Sequence, residues 1–401
     1  MRRSGTADLP LHGGKVPYWL AKRMAELGQA IVESIVTEYG KTEFLSKISD
    51  PLWFQSFGCV LGMDWHSSGI TTSVMGALKK SLNPIASDLG IYVCGGRGKH
   101  SRQTPAELLA LADKTGINGD DMVHHSKLSA KVDNTAIQDG FQLYLHSFIV
   151  TDEGEWAVVQ QGMNNTNGMA RRYHWHSKNV RSFIEEPHTG VCGINKGLIL
   201  NLTSKSADKT REGIMEIGKE DSFKMMQEAR KIIMPRRHHV KKEDVNLKRL
   251  GSVLALANDP DIKTFDDLLL INGLGPRTLQ SLTLVSEVIH GTPSRFQDPA
   301  RFSFAHGGKD GHPFPVPTRI YDETISTLKH AVEKSKIGNS DKQNAIKKLH
   351  FLAQKAEKDF KPDESRFDKI IEKERQDSYK YGGRSVFGKS LPPKGQLDLF
   401  Q

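Results

Sequence analysis

Cysteine is scarce in this sequence, with three residues in 401, at Cys59, Cys94 and Cys192. An odd number of widely spaced cysteines excludes a disulfide framework, and the lack of any CxxC pair excludes the common zinc motifs built on it. We therefore expect reduced thiols, which are typical of cytoplasmic proteins.

Long apolar segments are also missing. No stretch approaches the roughly 18–20 apolar residues of a membrane span, and the arginine-containing start shows no apolar core of a secretory signal. We expect a cytoplasmic, nucleoid-associated protein without a membrane partner, and an oligomer is compatible with these features. The net charge of +9, from 56 basic and 47 acidic residues, moderately favours polyanionic partners.

The length predicts two or three domains rather than one core. Helical spacing over residues 16–39 is followed by two strand-like stretches, 141–150 and 156–163, which flank a turn and predict a β-hairpin. After residue 205 the pattern becomes helix after helix. We predict three units, in chain order: an α/β or α+β domain with a mixed sheet at 1–205, an all-α domain at 206–360, and an extension at 361–401.

Polar residues cluster at the open end of the predicted hairpin. Lys131 and Asp133 precede its first strand, Asp139 opens that strand, and Gln160 ends the returning one. This pattern resembles the core of restriction-type nucleases, in which carboxylates hold Mg²⁺ or Mn²⁺ and a lysine activates water. The resemblance implies Asp133 and Asp139 as metal ligands, with Gln160 and Lys131 as further catalytic residues.

The hairpin also departs from that nuclease pattern. The segment Gln160-Gln161-Gly162 lacks the second acid and the lysine that usually follows it. Two alternatives therefore stay open, a polar strand face that binds DNA or stabilises the fold, and a metal site elsewhere. Alternation along the first strand places Gln142, Tyr144 and His146 on one face. The alternative metal site would use Asp8, His12, Asp64 and His66.

Two basic segments are candidates for phosphate contacts. Arg97 and Lys99 lie in a glycine-rich stretch after a short predicted strand, and Thr104 is expected to cap the next helix. Arg171 and Arg172 alternate with aromatic residues, a pattern suited to unpaired nucleic acid. The alternative is that Tyr173 and Trp175 are core residues and only the arginines are exposed.

Residues 265–280 contain a specific internal motif. Two short amphipathic helices are predicted around a Gly-Leu-Gly turn, and this arrangement resembles the helix-hairpin-helix element of DNA repair and replication proteins. That resemblance implies backbone-phosphate binding, with Leu274 anchoring the turn and amides of the second helix facing the phosphate. The residues implied are Gly273, Leu274, Gly275, Arg277 and Thr278. An ordinary turn between two helices is the alternative.

The surroundings of this hairpin are similar to helix-hairpin-helix DNA glycosylases. Arg277 stands where that family has its catalytic lysine, and Pro317 stands where it has its catalytic aspartate. Asp298 is another acid, but its sequence context does not match. We therefore expect a glycosylase-like helical fold used for binding, with a variant glycosylase as the second alternative to the nuclease.

The last residues form a recognisable peptide. The segment Gln396, Leu397, Asp398, Leu399 and Phe400 resembles the pentapeptide with which bacterial proteins bind the sliding clamp. Apolar side chains at three of these positions can fill surface pockets on a partner. The resemblance implies a clamp-tethered bacterial protein, and a frayed apolar end is the alternative.

Segments around residues 3–14, 129–133, 138–142 and 156–164 resemble an uncharacterised family of bacterial and archaeal proteins. That family implies no activity. Together, these observations predict a DNA-binding protein of DNA repair or replication that acts as a metal-dependent nuclease tethered to the clamp. A DNA-binding adaptor without enzymatic activity is the first alternative.

Overall fold

A computed structural model gives the fold. It describes residues 9–10, 16, 18–63, 68–164, 168–220, 247–300, 318–348, 384–385 and 388–389. Within this part of the chain, no helix combines the length and the apolar character needed to cross a membrane. The three cysteines are buried, and none of them forms a disulfide bond in the described structure.

The helices alternate with short loops along most of the described chain. Their bounds are α1 Tyr18–Tyr39, α2 Lys41–Ile48, α3 Pro51–Val60, α4 Gly69–Leu82, α5 Ala86–Leu89, α6 Lys99–Thr115, α7 Gly119–Lys131, α8 Asp208–Lys219, α9 Leu247–Ala257, α10 Phe265–Leu270, α11 Pro276–His290 and α12 Thr318–Lys334. Residues 339–348 are also helical.

The strands belong to three sheets. Their bounds are β1 Leu9–Pro10, β2 Ile91–Arg97, β3 Ile137–Gln138, β4 Gln142–Thr151, β5 Trp156–Asn164, β6 Met169–His176, β7 Gly190–Cys192, β8 Leu198–Asn201, β9 Phe296–Gln297, β10 Arg384–Ser385 and β11 Gly388–Lys389. The main sheet has the order β1-β6-β5-β4-β2, and β7 pairs with β6. A smaller sheet has the order β3-β8-β9, and β10 pairs with β11.

Every described strand pair is antiparallel, so the prediction of a mixed sheet is wrong. The physical reason lies in the connections. Four residues separate β4 from β5 and four separate β5 from β6, and so short a connection can only return the chain in the opposite direction. The predicted β-hairpin is confirmed as β4 and β5.

Helices cover both faces of the main sheet. On the first face, Ile149 of β4 and Val159 of β5 pack in a cluster with α1 to α4 and with Leu328 of α12. On the second face, Phe148 and Trp175 share a cluster with α7, α8 and α9 to α11. Strand alternation therefore sends neighbouring residues of β4, β5 and β6 into two different cores.

The helices after residue 205 share the second core with the sheet, since Leu254 and Leu282 lie in the same cluster as Trp175. The segment 206–360 is also not purely helical, because β9 pairs with β8 of the preceding segment. The prediction of an all-α unit there is wrong in this respect. The long-range pairing fixes the helical part against the sheet.

The helix expected at Thr104 begins earlier, since α6 starts at Lys99, so the predicted cap is wrong. Thr104 instead donates its hydroxyl to the carbonyl of Ser101 at 2.9 Å. Pro105 lacks the amide that would normally bond to that carbonyl, and the threonine hydroxyl replaces it. Glu107, three residues after Thr104, accepts hydrogen bonds from Lys79 and from the Gly95 amide.

Candidate functional site

A π-helical turn, Val132–Ala136, follows α7 and shapes the centre of the second core. The amide of Ile137 bonds to the carbonyl of Val132, one residue further back than in an α-helix. This turn places Asp133 inside the protein with no exposed surface. Such turns occur often at functional sites, and here the turn delivers a carboxylate to the sheet.

Asp133 is fully engaged by protein groups. Its Oδ2 accepts hydrogen bonds from Trp175 Nε1 at 2.9 Å and from Gln160 Nε2 at 2.6 Å. Its Oδ1 bonds to Nε2 of His188. Burial raises the pKa of the Asp133 carboxyl, while the three partners oppose that shift. Because the indole N–H of Trp175 can only donate, Oδ2 of Asp133 must accept, whether or not Oδ1 carries a proton.

The hydrogen bond from Gln160 to Asp133 determines which ring nitrogen of His146 carries a proton. Gln160 presents its NH₂ group to Asp133 and to the Ser129 carbonyl, so its oxygen faces Nδ1 of His146 at 2.7 Å. An amide oxygen only accepts, and Nδ1 therefore carries the proton. The other ring nitrogen, Nε2, is left as an acceptor 2.8 Å from the hydroxyl of Ser126. The chain from Ser126 to Asp133 is thus a directed hydrogen-bond relay.

The relay reaches the surface at a small pocket between α6, α7 and β4. The pocket encloses about 180 Å³ and is lined by Ser126 and His146 together with Arg102, Lys127 and Tyr144. Both cations are exposed, and the described lining includes no Asp or Glu. Burial lowers the pKa of His146 to about 4, so its ring is neutral at physiological pH. We call this the basic pocket.

A third cation lies beside the basic pocket. The guanidinium of Arg97 is 5.8 Å from the ring centroid of Tyr144, within the range of a cation–π contact. Arg97 and Lys99 are both exposed, at the end of β2 and the start of α6. That Arg97 and Lys99 contact phosphate stays a prediction, and their exposed position beside the pocket is compatible with it.

Arg171 forms a separate buried cluster on the second face. It bonds through Nη1 to Asp139 at 2.9 Å and through both terminal nitrogens to the two oxygens of Asp298. Asp139 also accepts the hydroxyl of Tyr173 at 2.6 Å and the amide of Phe141 at 2.9 Å. Burial raises the pKa of Asp139, and Arg171 opposes this shift. The terminal nitrogens of Arg171 and all oxygens of the two carboxylates are hydrogen-bonded inside the protein, whereas the buried Nε of Arg171 has no partner in the described structure.

On the first face, Arg172 is buried as completely as Arg171. Its Nη2 bonds to Gln55 of α3 at 2.9 Å, and its guanidinium stacks over Phe54 at 4.5 Å. The prediction that Arg171 and Arg172 contact DNA is therefore wrong, since both have no exposed surface. Asp139 and Asp298 neutralise the charge of Arg171, and the Gln55 side chain accepts a hydrogen bond from Arg172. Tyr173 and Trp175 are core residues, as the alternative held, but its expectation of exposed arginines is wrong as well.

The predicted catalytic set is only partly brought together. Gln160 contacts Asp133, whereas Asp139 lies in the Arg171 cluster and Lys131 donates to the Leu274 carbonyl at 2.6 Å. All four carboxylate oxygens of the two aspartates are already bonded to protein groups. In the described parts of the chain, no group of three or more His, Cys, Asp or Glu side chains is placed to hold a metal. The metal site stays a prediction.

The predicted common face of β4 does not form. The pairing of β4 with β5 shifts register between Leu143 and Leu145, a β-bulge that inserts one residue. As a result the Tyr144 hydroxyl meets Gln161, whereas the ring of His146 meets Gln160 on the opposite face.

The hairpin between α10 and α11 has the predicted backbone form. Gly273 has φ +88° and is exposed, while Leu274 is only 2% exposed and packs in the second core. The anchoring role predicted for Leu274 is confirmed. Arg277 is exposed in the first turn of α11, whereas Thr278 is buried. A side chain buried at that position offers no hydroxyl to a ligand, although its backbone amide still belongs to the first turn.

The hairpin is fastened to the end of α7. Lys131 donates to the Leu274 carbonyl and Gln138 donates to the Pro276 carbonyl, both at 2.6 Å. Burial lowers the pKa of the Lys131 ammonium. These contacts join the hairpin and the basic pocket through one helix, because Lys127 of the pocket lies four residues before Lys131.

Several predicted sites lie outside the described residues. These are the alternative metal ligands Asp8, His12, Asp64 and His66, the position Pro317, and the clamp peptide Gln396, Leu397, Asp398, Leu399 and Phe400. The remaining acid of the glycosylase comparison, Asp298, is 4% exposed and bonded to Arg171.

Sequence reasoning missed Ser126 and His188, which lie in different elements, and no motif or spacing in the sequence links them. Arg102 ends the basic, glycine-rich stretch that was already predicted to contact phosphate. Lys127 and His146 were visible as polar residues near the hairpin, but only the packing of α7 on the sheet gives them a shared site. The alternation of β4 was the one signal that pointed toward His146.

Comparisons with known proteins agree with the sequence on the family. No curated protein and no solved structure matches the chain. Residues 5–316 match a family described as "Protein of unknown function (DUF763)". This match confirms the predicted membership of an uncharacterised family, and because it covers most of the sequence, the chain belongs to the family of proteins of unknown function DUF763.

Proposed function

We propose that the protein binds the phosphate backbone of DNA and acts in DNA repair or replication. The observation that carries the proposal is the geometry of the hairpin. Its exposed Gly273 has a left-handed backbone, its Leu274 is anchored in the core, and α11 begins directly afterwards at Pro276. The free amides and the dipole at the start of such a helix attract a phosphate group.

The space at the hairpin supports this proposal. At Gly273 and at Gly275, no atom of the described residues other than the glycine and its two chain neighbours lies within 4 Å of the position that a Cβ would occupy. A backbone phosphate can therefore approach both glycines closely. The exposed guanidinium of Arg277 stands at the same end of α11 and supplies positive charge. Contacts of this kind hold DNA without reading its sequence.

A binding assay with matched variants tests the proposal. Arg277→Ala should lower affinity equally for unrelated DNA sequences and reduce the slope of log affinity against log salt by about one. Gly275→Ala should also weaken binding, since φ −129° suits alanine and the added methyl shields the amides without strain.

The control is Lys22→Ala, which removes a 63% exposed cation from α1, on the other side of the sheet. It should leave affinity and salt slope close to those of the unchanged protein. If Arg277→Ala and Lys22→Ala weaken binding equally, the hairpin is not the binding element.

The bacterial sliding clamp is the protein partner in this proposal, and only the peptide sequence at 396–400 supports it. Purified sliding clamp should bind the full chain, and a variant with Leu399→Ala and Phe400→Ala should lose that binding while keeping its affinity for DNA. Unchanged clamp binding by the double variant would contradict the tether. Metal-dependent cleavage by Asp133 and Asp139 stays a prediction, tested by adding Mg²⁺ or Mn²⁺.

A further inference from the structure

The basic pocket brings a hydroxyl, an imidazole acceptor and several cations together at the surface. Ser126 Oγ and His146 Nε2 are 2.8 Å apart at its floor, and Arg102 and Lys127 lie on its rim. The distance and the tautomer are those of a nucleophile next to its general base. The relay through Gln160 supplies the third group that orients the base.

We propose that Ser126 is the nucleophile of a metal-independent site that attacks a phosphodiester of a nucleic-acid strand, with His146 as its general base. The proposal rests on the DNA-binding function proposed above, because the hairpin would deliver the strand. It assigns catalysis to residues separate from the Arg171 cluster.

The charge and the size of the pocket point to a phosphodiester. Arg102 and Lys127 offer two positive charges to the non-bridging oxygens, and Arg97 adds a third beside Tyr144. A volume of about 180 Å³ is smaller than the roughly 300–1,000 Å³ of pockets that enclose whole small ligands. The space fits one phosphate group with part of its sugar, and the rest of the strand would lie outside.

The position of the hairpin supports a strand as the substrate. Lys127 at the pocket and Lys131 at the hairpin are one helical turn apart on α7, about 6 Å along its axis. Lys131 itself contacts the Leu274 carbonyl. A strand whose phosphate is held at the start of α11 therefore has its neighbouring phosphates within reach of the pocket.

The reaction balances with the groups present. Ser126 Oγ forms a bond to phosphorus, and its proton passes to Nε2 of His146. The bond between phosphorus and one ester oxygen breaks, and that oxygen leaves with the proton from His146. A phosphoseryl ester of one strand end results. Water then attacks phosphorus, gives its proton to His146, and releases Ser126 with that proton.

Cleavage assays in EDTA test the proposal with two substrates. Labelled single-stranded and duplex DNA report the full activity, and thymidine 5′-(p-nitrophenyl phosphate) reports the pocket without needing the hairpin. Ser126→Ala should reduce both rates by about 100-fold or more. Ser46→Ala is the control, which removes the hydroxyl of an exposed serine of α2, a helix that packs on the other face of the sheet. It should keep both activities.

Intact-protein mass and DNA affinity complete the experiment. A trapped adduct should appear on the unchanged protein and be absent from Ser126→Ala, whose DNA affinity should change less than twofold. Ser126→Cys, which keeps the shape of the pocket, should retain an adduct and shows that the alanine variant does not fail through misfolding.

The outcomes separate the two proposals. DNA binding without cleavage or adduct in EDTA overturns the nucleophile and leaves the binding function standing. Cleavage that requires Mg²⁺ or Mn²⁺ and survives Ser126→Ala also overturns it. Cleavage of the small ester without any DNA binding overturns the binding function and supports the pocket.

Discussion

The Arg171 cluster gives the most direct test of what holds this fold together. In Asp298→Asn, one carboxylate of the cluster becomes neutral while the shape of the side chain is kept. Asp298 is 4% exposed and accepts four hydrogen bonds, two from Arg171 at 2.9 and 2.8 Å and two from the amides of Lys196 and Ala300. Each oxygen accepts two of these bonds, so the asparagine NH₂ group at either position would face two donors and lose both bonds.

The expected loss follows from the burial of the pair. Removing one partner of a buried ion pair costs about 3–5 kcal/mol. Because Asp139 still contacts Arg171 at 2.9 Å, the arginine keeps one countercharge and the lower end applies, about 3 kcal/mol. Arg171→Met should cost more, about 5 kcal/mol, since it leaves Asp139 and Asp298 without their shared cation. Both values are large beside a typical stability of about 5–15 kcal/mol.

Urea unfolding followed by tryptophan fluorescence measures these losses. The control is Asp261→Asn, an exposed aspartate in the loop before α10, and its midpoint should stay close to that of the unchanged protein. If Asp298→Asn shifts the midpoint no more than Asp261→Asn does, the cluster does not stabilise the fold and the reasoning is refuted.

Two further predictions concern a glycine and a histidine. Gly95→Ala should cost about 3 kcal/mol or more, because φ is +84° and the added methyl would lie 2.3 Å from the His146 carbonyl oxygen. Its counterpart Gly76→Ala, in α4 with open space beyond its own helix backbone, should gain about 0.5–1 kcal/mol, and thermal melts that shift the same way would contradict one of the two. Burial lowers the pKa of His146 to about 4, so the unfolded chain binds a proton that the folded one does not, and the free energy of unfolding should fall as pH drops from about 6.5 to 4. His146→Gln should flatten that slope by about 1.4 kcal/mol per pH unit in urea titrations, and an unchanged slope would show that His146 does not titrate this way.

Local signals in the sequence predicted many elements correctly. The helix predicted over residues 16–39 is α1, which begins two residues later, and the two helices predicted around the Gly-Leu-Gly turn are α10 and α11. The hairpin of β4 and β5 and the anchored Leu274 were predicted as well. Each of these depends on side-chain spacing or turn residues within a few positions, which the sequence displays directly.

The start of α6 shows where local reasoning fails. A threonine followed by proline and then glutamate two residues later is typical of a helix start, yet Thr104 lies inside α6. Lys79 and the Gly95 amide bind Glu107 instead. These partners are 28 and 12 residues away in sequence, so no local pattern could reveal that the glutamate was already used.

The sequence by itself determined the periodic faces of the helices, the turn of β4 and β5, the hairpin at Gly273 and the membership of the family. Only the tertiary structure decided which polar side chains are buried together. Arg171 and Asp298 are 127 residues apart, and Ser126 and His146 lie on different elements. A strand period shows that alternate residues share a face, but it does not show whether that face meets water, a helix or a countercharge, because these come from distant parts of the chain.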